Sequence, residues 1–110
     1  MLTIVDQLKE GRERVKKGWT QKTHARNAKG RSVGFRSPKA VQWCVVGSCD
    51  CANACVKYLR SIVFSRYPNE QSIVTWNDRS ERTQEDIIEA YDRAIELAEK
   101  DLKRCPTTQN

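Results

Sequence analysis

Residues 41–60 read VQWCVVGSCDCANACVKYLR, and this stretch decides the predicted fold. It contains four cysteines within twelve residues, and most other positions are small or apolar. Four interpretations are open: a metal site, a catalytic nucleophile with neighbouring thiols, a disulfide cluster, or small side chains that fill a buried helix. A helix that is apolar on all sides belongs at the centre of a protein. Residues 40–66 are therefore predicted to form a buried central helix, or a helix pair that breaks near Gly47 to Asp50.

The number and spacing of the cysteines favour buried structural thiols. Five is an odd number and no secretory signal precedes them, which argues against a secreted disulfide framework. The spacing C-x4-C-x-C-x3-C differs from the paired C-x2-C units of zinc sites, and His24 is the only imidazole in the chain. Because free cysteine is among the residue types most often found inside proteins, we expect structural thiols, with no metal and no cofactor.

A reactive thiol remains the alternative for the cysteines, with Cys44 as nucleophile and His24 as its base. A nucleophilic cysteine needs a lowered pKa, which a helix N-terminus or a basic neighbour can provide. In the predicted helix, Cys44 lies about two turns from the N-terminus, which is too far for the helix dipole to help. The sequence therefore predicts that the chain is not an enzyme.

The length of 110 residues predicts one domain, residues 1–110, that buries roughly 65% of the surface of its extended chain. No apolar run approaches the roughly 18 residues of a membrane-spanning helix. The N-terminus carries its charges after its few apolar residues, which is the reverse of a secretory signal. We therefore expect a cytoplasmic protein with no membrane partner.

The net charge of +6 is unevenly distributed along the chain. Residues 1–40 contain eleven Lys or Arg against three Asp or Glu, whereas residues 81–110 contain five against eight. Residues 20–39 contain six basic residues and no acidic one. Such a stretch presents a positive field to nucleic acid or to an acidic protein surface. The alternative is a solvated basic face that balances the acidic C-terminal helix. The candidate binding residues are Lys22, His24, Arg26, Lys29, Arg31 and Arg36.

Capping signals predict the elements of the N-terminal half. Thr3 followed by Asp6 predicts the start of helix 1, within residues 1–18. Residues 19–39 are predicted to form a basic hairpin or loop, with short strands over about 20–26 and 31–35. Asn27 to Gly30 suits a type I turn with Gly30 in the left-handed position of that hairpin. Ser37 and Pro38 then predict the N-cap and first residue of the cysteine-rich helix.

The C-terminal half is predicted to contain a loop and one long helix. Residues 67–82 form the loop, with a short extended segment at SIVTW, residues 72–76. Thr83 with Asp86 predicts the start of an amphipathic helix over residues 83–104. Pro106 prevents its continuation, and residues 105–110 are predicted to form a tail. The apolar side of this helix is predicted to carry Ile87, Tyr91, Ala94, Ile95, Ala98 and Leu102. The predicted fold class is thus α+β, mostly helical, with three to four helices around a buried cysteine-rich central helix and a short two-stranded basic hairpin after helix 1.

Several tracts of the chain resemble a family of small bacterial and bacteriophage proteins catalogued as a domain of unknown function. They are GWTQ at 18–21, RNAKGR at 26–31, SPKAVQWCVVGS at 37–48 and TWNDRSERTQEDIIEAYDRAIELA at 75–98. The shared pattern is a WC-x2-G segment, a WND segment and a terminal helix led by threonine. The chain departs from it at CDC, residues 49–51. The resemblance transfers no activity, but it implies a phage or prophage setting.

The WND segment, Trp76, Asn77 and Asp78, has two interpretations. In the first, Trp76 covers the core while Asn77 and Asp78 satisfy backbone amides in the turn. In the second, Asn77 and Asp78 form a pocket with Cys44 around a small ligand. Replacement of Asp78 by alanine separates them, because it lowers stability in the first case and only function in the second.

Two functional hypotheses follow from the sequence. The first is a small non-enzymatic binding protein of phage or prophage type, a candidate modulator or inhibitor of a host defence system, which acts through its basic surface. Its partner is an acidic protein surface or nucleic acid, contacted through residues 20–39. The second is a small-ligand binder or enzyme that uses Cys44 with Asn77 and Asp78.

Overall fold

The computed structural model describes residues 3–104 of the 110-residue chain. Within that range the chain forms five α-helices and three short strands, so the predicted α+β, mostly helical class is confirmed. The tail at 105–110, with Cys105 and Pro106, lies outside the described residues. None of the helices described is both long and apolar enough to cross a membrane.

Helix α1 (Ile4–Lys17) begins as predicted. The N–H of Asp6 donates to Thr3 Oγ1 over 3.0 Å, and the Asp6 side chain accepts from the Thr3 N–H in return. This capping box satisfies N–H groups that a helix N-terminus would otherwise leave free. Leu8 and Val15 are fully buried on the side of α1 that faces the core.

The C-terminal helix α5 (Gln84–Arg104) also begins as predicted. Thr83 and Asp86 exchange backbone and side-chain hydrogen bonds of 3.1 and 3.2 Å. The predicted apolar side is buried at Ile87, Tyr91, Ala94, Ile95 and Ala98. Leu102 is the exception, since 56% of it is exposed, which shows that the core ends about one turn before the helix does.

Three short strands form an antiparallel sheet between helices α1 and α2 in the sequence. They are β1 (Ala25–Arg26), β2 (Ser32–Val33) and β3 (Gln42–Trp43), in the order β2-β1-β3. The hairpin β1-β2 was predicted, although its strands are shorter than expected. Gly30 has φ of 80° and its N–H donates to the carbonyl of Asn27 over 2.9 Å, as the predicted turn requires. The third strand was not predicted.

The predicted start of the cysteine-rich helix at Ser37 and Pro38 is wrong. The N–H of Ala40 donates to the carbonyl of Ser37 over 3.1 Å, so these residues form a turn. The chain then enters β3, and helix α2 (Val45–Ser48) begins only at Val45. The physical reason is the sheet, because pairing with β1 competes with helix formation over residues 42–43.

The segment 40–66 is not one buried central helix. It breaks near the predicted place, after the four residues of α2, where Asp50 and Cys51 have φ of 63° and 51°. These left-handed residues end α2 and turn the chain into helix α3 (Asn53–Arg66). The α3 helix buries Cys55, Val56, Leu59 and Val63 and exposes a polar face, so it is amphipathic rather than apolar all round.

The segment SIVTW is helical, which corrects the prediction of an extended piece. Ser72 caps the short helix α4 (Ile73–Asn77), and its Oγ accepts from the N–H of Thr75 over 2.9 Å. The β-branched residues favour a strand, but the cap and the burial of Trp76 outweigh that weak preference.

One hydrophobic cluster joins the helices, and α5 packs against both α1 and α3. The central position therefore belongs to α5, while Cys49 and Cys55 are two of the buried residues in the same cluster. The buried guanidinium of Arg82 lies 4.8 and 4.7 Å from the ring centroids of Tyr67 and Trp76. Its Nε donates to the carbonyl of Trp76 over 2.9 Å, which fixes the loop between α4 and α5.

Candidate functional site

Asn77, at the end of α4, joins three distant segments of the chain. Only 1% of it is exposed. Its Oδ1 accepts hydrogen bonds from Trp19 Nε1 over 2.9 Å and from the N–H of Val45 over 3.0 Å. Its Nδ2 donates to the carbonyl of Thr20 over 3.2 Å. The tracts GWTQ, WCVVG and WND thus meet at this side chain, and we call the arrangement the Asn77 junction.

Two further contacts attach the start of the hairpin to the end of α4. Gln21 Nε2 donates to the carbonyls of Asn77 and Arg79 over 2.9 and 2.8 Å. Asp78 Oδ1 accepts the N–H of Lys22 over 2.8 Å. Lys22 has φ of 72°, an uncommon conformation for a residue with a side chain, and the bond to Asp78 helps to hold it there.

The geometry of the WND segment agrees in part with the first sequence interpretation. Trp76 is buried in the core, with 1% exposed. Asn77 and Asp78 do accept from backbone amides, but these belong to Val45 and Lys22 rather than to their own turn. The Asp78 residue is partly exposed, whereas Asn77 is buried.

A cleft of about 280 Å³ opens beside the Asn77 junction. Its lining includes Cys44 and Asp78, which the second interpretation of the WND segment placed in one pocket, and two of the predicted binding residues. Asn77 is absent from its lining. The lining residues are Lys22, Thr23, His24, Cys44, Val74 and Asp78.

Cys44 is the N-cap of α2, which corrects the prediction that it lies about two turns inside a helix. Its Sγ accepts the N–H of Gly47 over 3.3 Å. Gly47 packs against the His24 backbone so closely that an added Cβ would lie 3.1 Å from the His24 carbonyl carbon and closer still to its oxygen. The Trp-Cys-x2-Gly pattern therefore describes a capped turn that rests on the hairpin.

Burial raises the pKa of the Cys44 thiol, and the nearby charge of Asp78 raises it further. Hydrogen bonds from the N–H groups of Gly47 and Val46 oppose this change but do not reverse it. Only 5% of Cys44 is exposed. The thiol is therefore protonated near neutral pH, which is the less nucleophilic form.

The other described cysteines also keep their protons. Burial raises the pKa of Cys49 to about 12, and it raises the pKa values of Cys51 and Cys55 as well. Cys49 and Cys55 are buried and Cys51 is half-buried, and all four thiols described are free. No group of three His, Cys, Asp or Glu within residues 3–104 is arranged to hold a metal ion.

The predicted binding residues divide into exposed and internally bonded side chains. Lys22, Lys29 and Arg31 are exposed. Arg36 is also exposed, but it forms a bidentate ion pair with Asp50, with both N–O distances at 2.9 Å. This pair lowers the pKa of Asp50, chiefly through the hydrogen bond.

Arg26 and His24 make contacts within the hairpin. The Arg26 guanidinium donates to Thr20 Oγ1 and to the carbonyls of Gly30 and Gln21, at 2.7 to 3.1 Å. Because these bonds use all three of its nitrogens, Arg26 holds the hairpin together. The ring of the exposed His24 lies nearly perpendicular to the ring of Phe35, with centroids 5.8 Å apart.

Trp19, Gln21 and Val45 were not predicted as part of any site. Their signal in the sequence was the GWTQ tract, whose hydrogen-bonding residues follow directly after helix 1. The partners lie 32 to 58 residues away, so sequence spacing could not pair them.

The comparisons with known proteins give a family but no activity. No curated protein matches the chain, and neither does any solved structure. The family of unknown function DUF6197 matches residues 1–97, which covers three of the four tracts noted in the sequence and all but the last residue of the fourth. The chain belongs to this family of unknown function.

Proposed function

We propose that this chain is a small non-enzymatic binding protein whose basic hairpin, residues 19–39, contacts a polyanionic partner. The partner is nucleic acid or an acidic protein surface, both of which present closely spaced negative charges. The contact residues are the exposed Lys22, Lys29, Arg31 and Arg36, with His24 beside them. Arg26 shapes the hairpin from within.

The observation that carries the proposal is the distribution of ion pairs. Within residues 3–104, the acidic residues of α5 that form ion pairs do so with α1, α3, Arg82 or α5 itself, as in Arg12 with Asp92 and Arg66 with Glu89. In the same range, the hairpin has a single ion pair, Arg36 with Asp50. The acidic residues of α5 therefore form no ion pairs with the basic residues of the hairpin in the described part of the chain. The positive field of the hairpin is available to a partner.

The state of Cys44 supports a binding role over an enzymatic one. A protonated, buried thiol is a poor nucleophile, although the cleft brings it into the same lining as His24 and Asp78. An enzyme built on Cys44 with Asn77 and Asp78 remains the alternative. Rapid alkylation of Cys44 in the folded protein at neutral pH would favour that alternative.

The resemblance to bacteriophage proteins adds the proposal that the partner belongs to a host defence system. On this proposal the protein acts in the cytoplasm, as its sequence predicts.

The proposal is tested by titrating the protein with random-sequence duplex DNA, single-stranded RNA and poly-L-glutamate at several salt concentrations. Binding that weakens steeply with salt is expected for one class of polyanion, because counterions are released from it. The double variant Lys29→Gln/Arg31→Gln should flatten the logarithmic salt slope by roughly two units if the partner is nucleic acid.

The matched control is Lys57→Gln/Arg60→Gln, which removes two exposed positive charges from α3. This variant should keep the slope of the unmodified protein. Binding to poly-L-glutamate alone assigns an acidic protein as the partner. The proposal is overturned if the protein binds none of the three polymers at low ionic strength. It is also overturned if the two double variants have equal salt slopes.

A further inference from the structure

A lysine and an aspartate that form no ion pair with each other line the cleft beside the Asn77 junction. Lys22 and Asp78 both line it. Within residues 3–104, Lys22 Nζ forms no ion pair, although the backbone of Lys22 is bonded to Asp78. The two residues thus line one cleft without a direct ion pair between them, so that each charge can contact a ligand.

The Asp78 carboxylate is held in place with one oxygen available. Its Oδ1 accepts from the N–H of Lys22 over 2.8 Å and from Asn77 Nδ2 over 3.0 Å. In the described part of the chain, Oδ2 accepts no hydrogen bond. Because Asn77 is itself fixed by buried hydrogen bonds, the carboxylate is preorganised, and a ligand would lose little free energy in ordering it.

The charge balance of the cleft selects the chemical class of its ligand. A phosphate or another simple anion would be attracted by Lys22 but repelled by Asp78. A simple cation would be attracted by Asp78 but repelled by Lys22. A ligand that carries both signs of charge satisfies both groups. The volume of about 280 Å³ lies at the small end of ligand sites, so the ligand is a small molecule.

The remaining lining suits the neutral part of such a ligand. Val74 is 46% exposed, and together with the protonated Cys44 it offers an apolar surface. Thr23 and His24 add a hydroxyl and an imidazole that can share hydrogen bonds with a carboxylate.

We propose that the cleft binds a small zwitterion of the free amino acid type. Its ammonium group contacts Asp78 Oδ2, its carboxylate contacts Lys22 Nζ, and its side chain lies over Val74 and Cys44. This site shares Lys22 and His24 with the proposed polyanion surface of the hairpin, but it adds the Asp78 carboxylate, which a polyanion would avoid.

The test is a titration of the ¹⁵N-labelled protein with the standard free L-amino acids, each at up to about 10 mM, followed by amide NMR shifts. Saturable shifts are expected at Lys22, Thr23 and Val74 for at least one of them. The N-acetyl and the amide derivatives of that amino acid each lack one charge, and each should bind at least about tenfold more weakly.

Two variants examine the charged groups separately. Asp78→Asn keeps an oxygen that can accept from the N–H of Lys22 but removes the charge, and it should weaken binding at least about tenfold. Lys22→Asn removes the ammonium with a residue that tolerates the left-handed backbone, and a similar loss is expected. Lys57→Gln on α3 is the matched control and should bind as the unmodified protein does.

Three outcomes overturn the proposal. They are the absence of saturable shifts with every amino acid, equal affinity for the N-acetyl or amide derivative, and unchanged affinity in both cleft variants. The DNA, RNA and poly-L-glutamate titrations of the native protein give the separate outcome for the hairpin, so failure of one site is distinguishable from failure of the other.

Discussion

Asn77 makes four side-chain hydrogen bonds while only 1% of it is exposed. Its amide offers one acceptor and one donor group in a fixed plane, and both are used on partners from other segments. Aspartate, with no N–H donor, could not make the bond to the carbonyl of Thr20. The buried position and the complete pairing indicate that this residue determines how the hairpin and α2 sit against α4.

We expect Asn77→Ala to lower the free energy of unfolding by roughly 3–5 kcal/mol. The substitution leaves the N–H of Val45 and Trp19 Nε1 without their acceptor, and an unpaired buried donor costs roughly 1–3 kcal/mol. Urea denaturation followed by circular dichroism measures the change. Asn69→Ala, at an exposed loop position, is the matched control and should change stability by less than about 0.5 kcal/mol. Equal stability of the two variants would contradict a structural role for Asn77.

The sequence identified the residues around the junction better than their partners. Trp76, Asn77 and Asp78 were singled out by residue type, and a bond between Asn77 and a backbone amide was expected. Its actual partner, the N–H of Val45, is 32 residues away in the chain, and only the packed tertiary structure brings the two together. The same limit applies to Cys44, whose place in a continuous helix was wrong because β3 precedes it.

At the scale of elements, predictions succeeded where the signal is local. The capping boxes at Thr3 and Thr83 lie within four residues of sequence, and both helix starts are as predicted. The strand β3 has only two residues and forms because it pairs with β1 and bridges Trp19, contacts that no local pattern encodes. The helix α4 was missed because β-branched residues dominate a segment too short for helical periodicity to show.

The contact between α2 and the hairpin predicts the effect of Gly47→Ala. The new Cβ would overlap the His24 carbonyl, which is backbone and cannot rotate away. We expect a loss of roughly 1–3 kcal/mol in the free energy of unfolding, measured by urea denaturation, because overpacked sites cost that much. The NMR shifts of hairpin amides around His24 should change as well.

Gly34→Ala is the matched control for that substitution. An added Cβ at this position meets nothing within 4 Å, so stability should change by less than about 0.5 kcal/mol. Equal stability of the two alanine variants would contradict the close contact between Gly47 of α2 and the His24 backbone.

Over the whole molecule, ionisable groups separate into a charged surface and a protonated interior. The ion pairs of the described residues lie mostly at the surface, where each contributes little to stability. The thiols of Cys44, Cys49 and Cys55 and the phenol of Tyr91 are buried, and burial raises the pKa of each of them. These groups therefore keep their protons to a higher pH in the folded protein than in the unfolded chain, where the burial is lost.

This separation predicts that the protein loses stability in alkaline solution. The pKa of Cys49 is about 12 in the folded protein and near its ordinary value, 9.0, once the chain unfolds. Between these two values the unfolded state has lost a proton that the folded state keeps, so stability is complete below about pH 9 and falls as the pH rises. Each such group contributes a slope of about 1.4 kcal/mol per pH unit within its own window.

Cys49→Ala should therefore flatten the dependence of the free energy of unfolding on pH by about 1.4 kcal/mol per pH unit between about pH 9 and 12. Urea denaturation at a series of pH values, with reductant present, measures the slope. Val46→Ala is the control, because it removes a partly buried apolar side chain beside the same turn and no ionisable group. It should lower stability equally at every pH. A slope in Cys49→Ala as steep as that of the native protein would mean that the Cys49 thiol does not stay protonated in the folded state, because its removal would then leave the proton balance of unfolding unchanged.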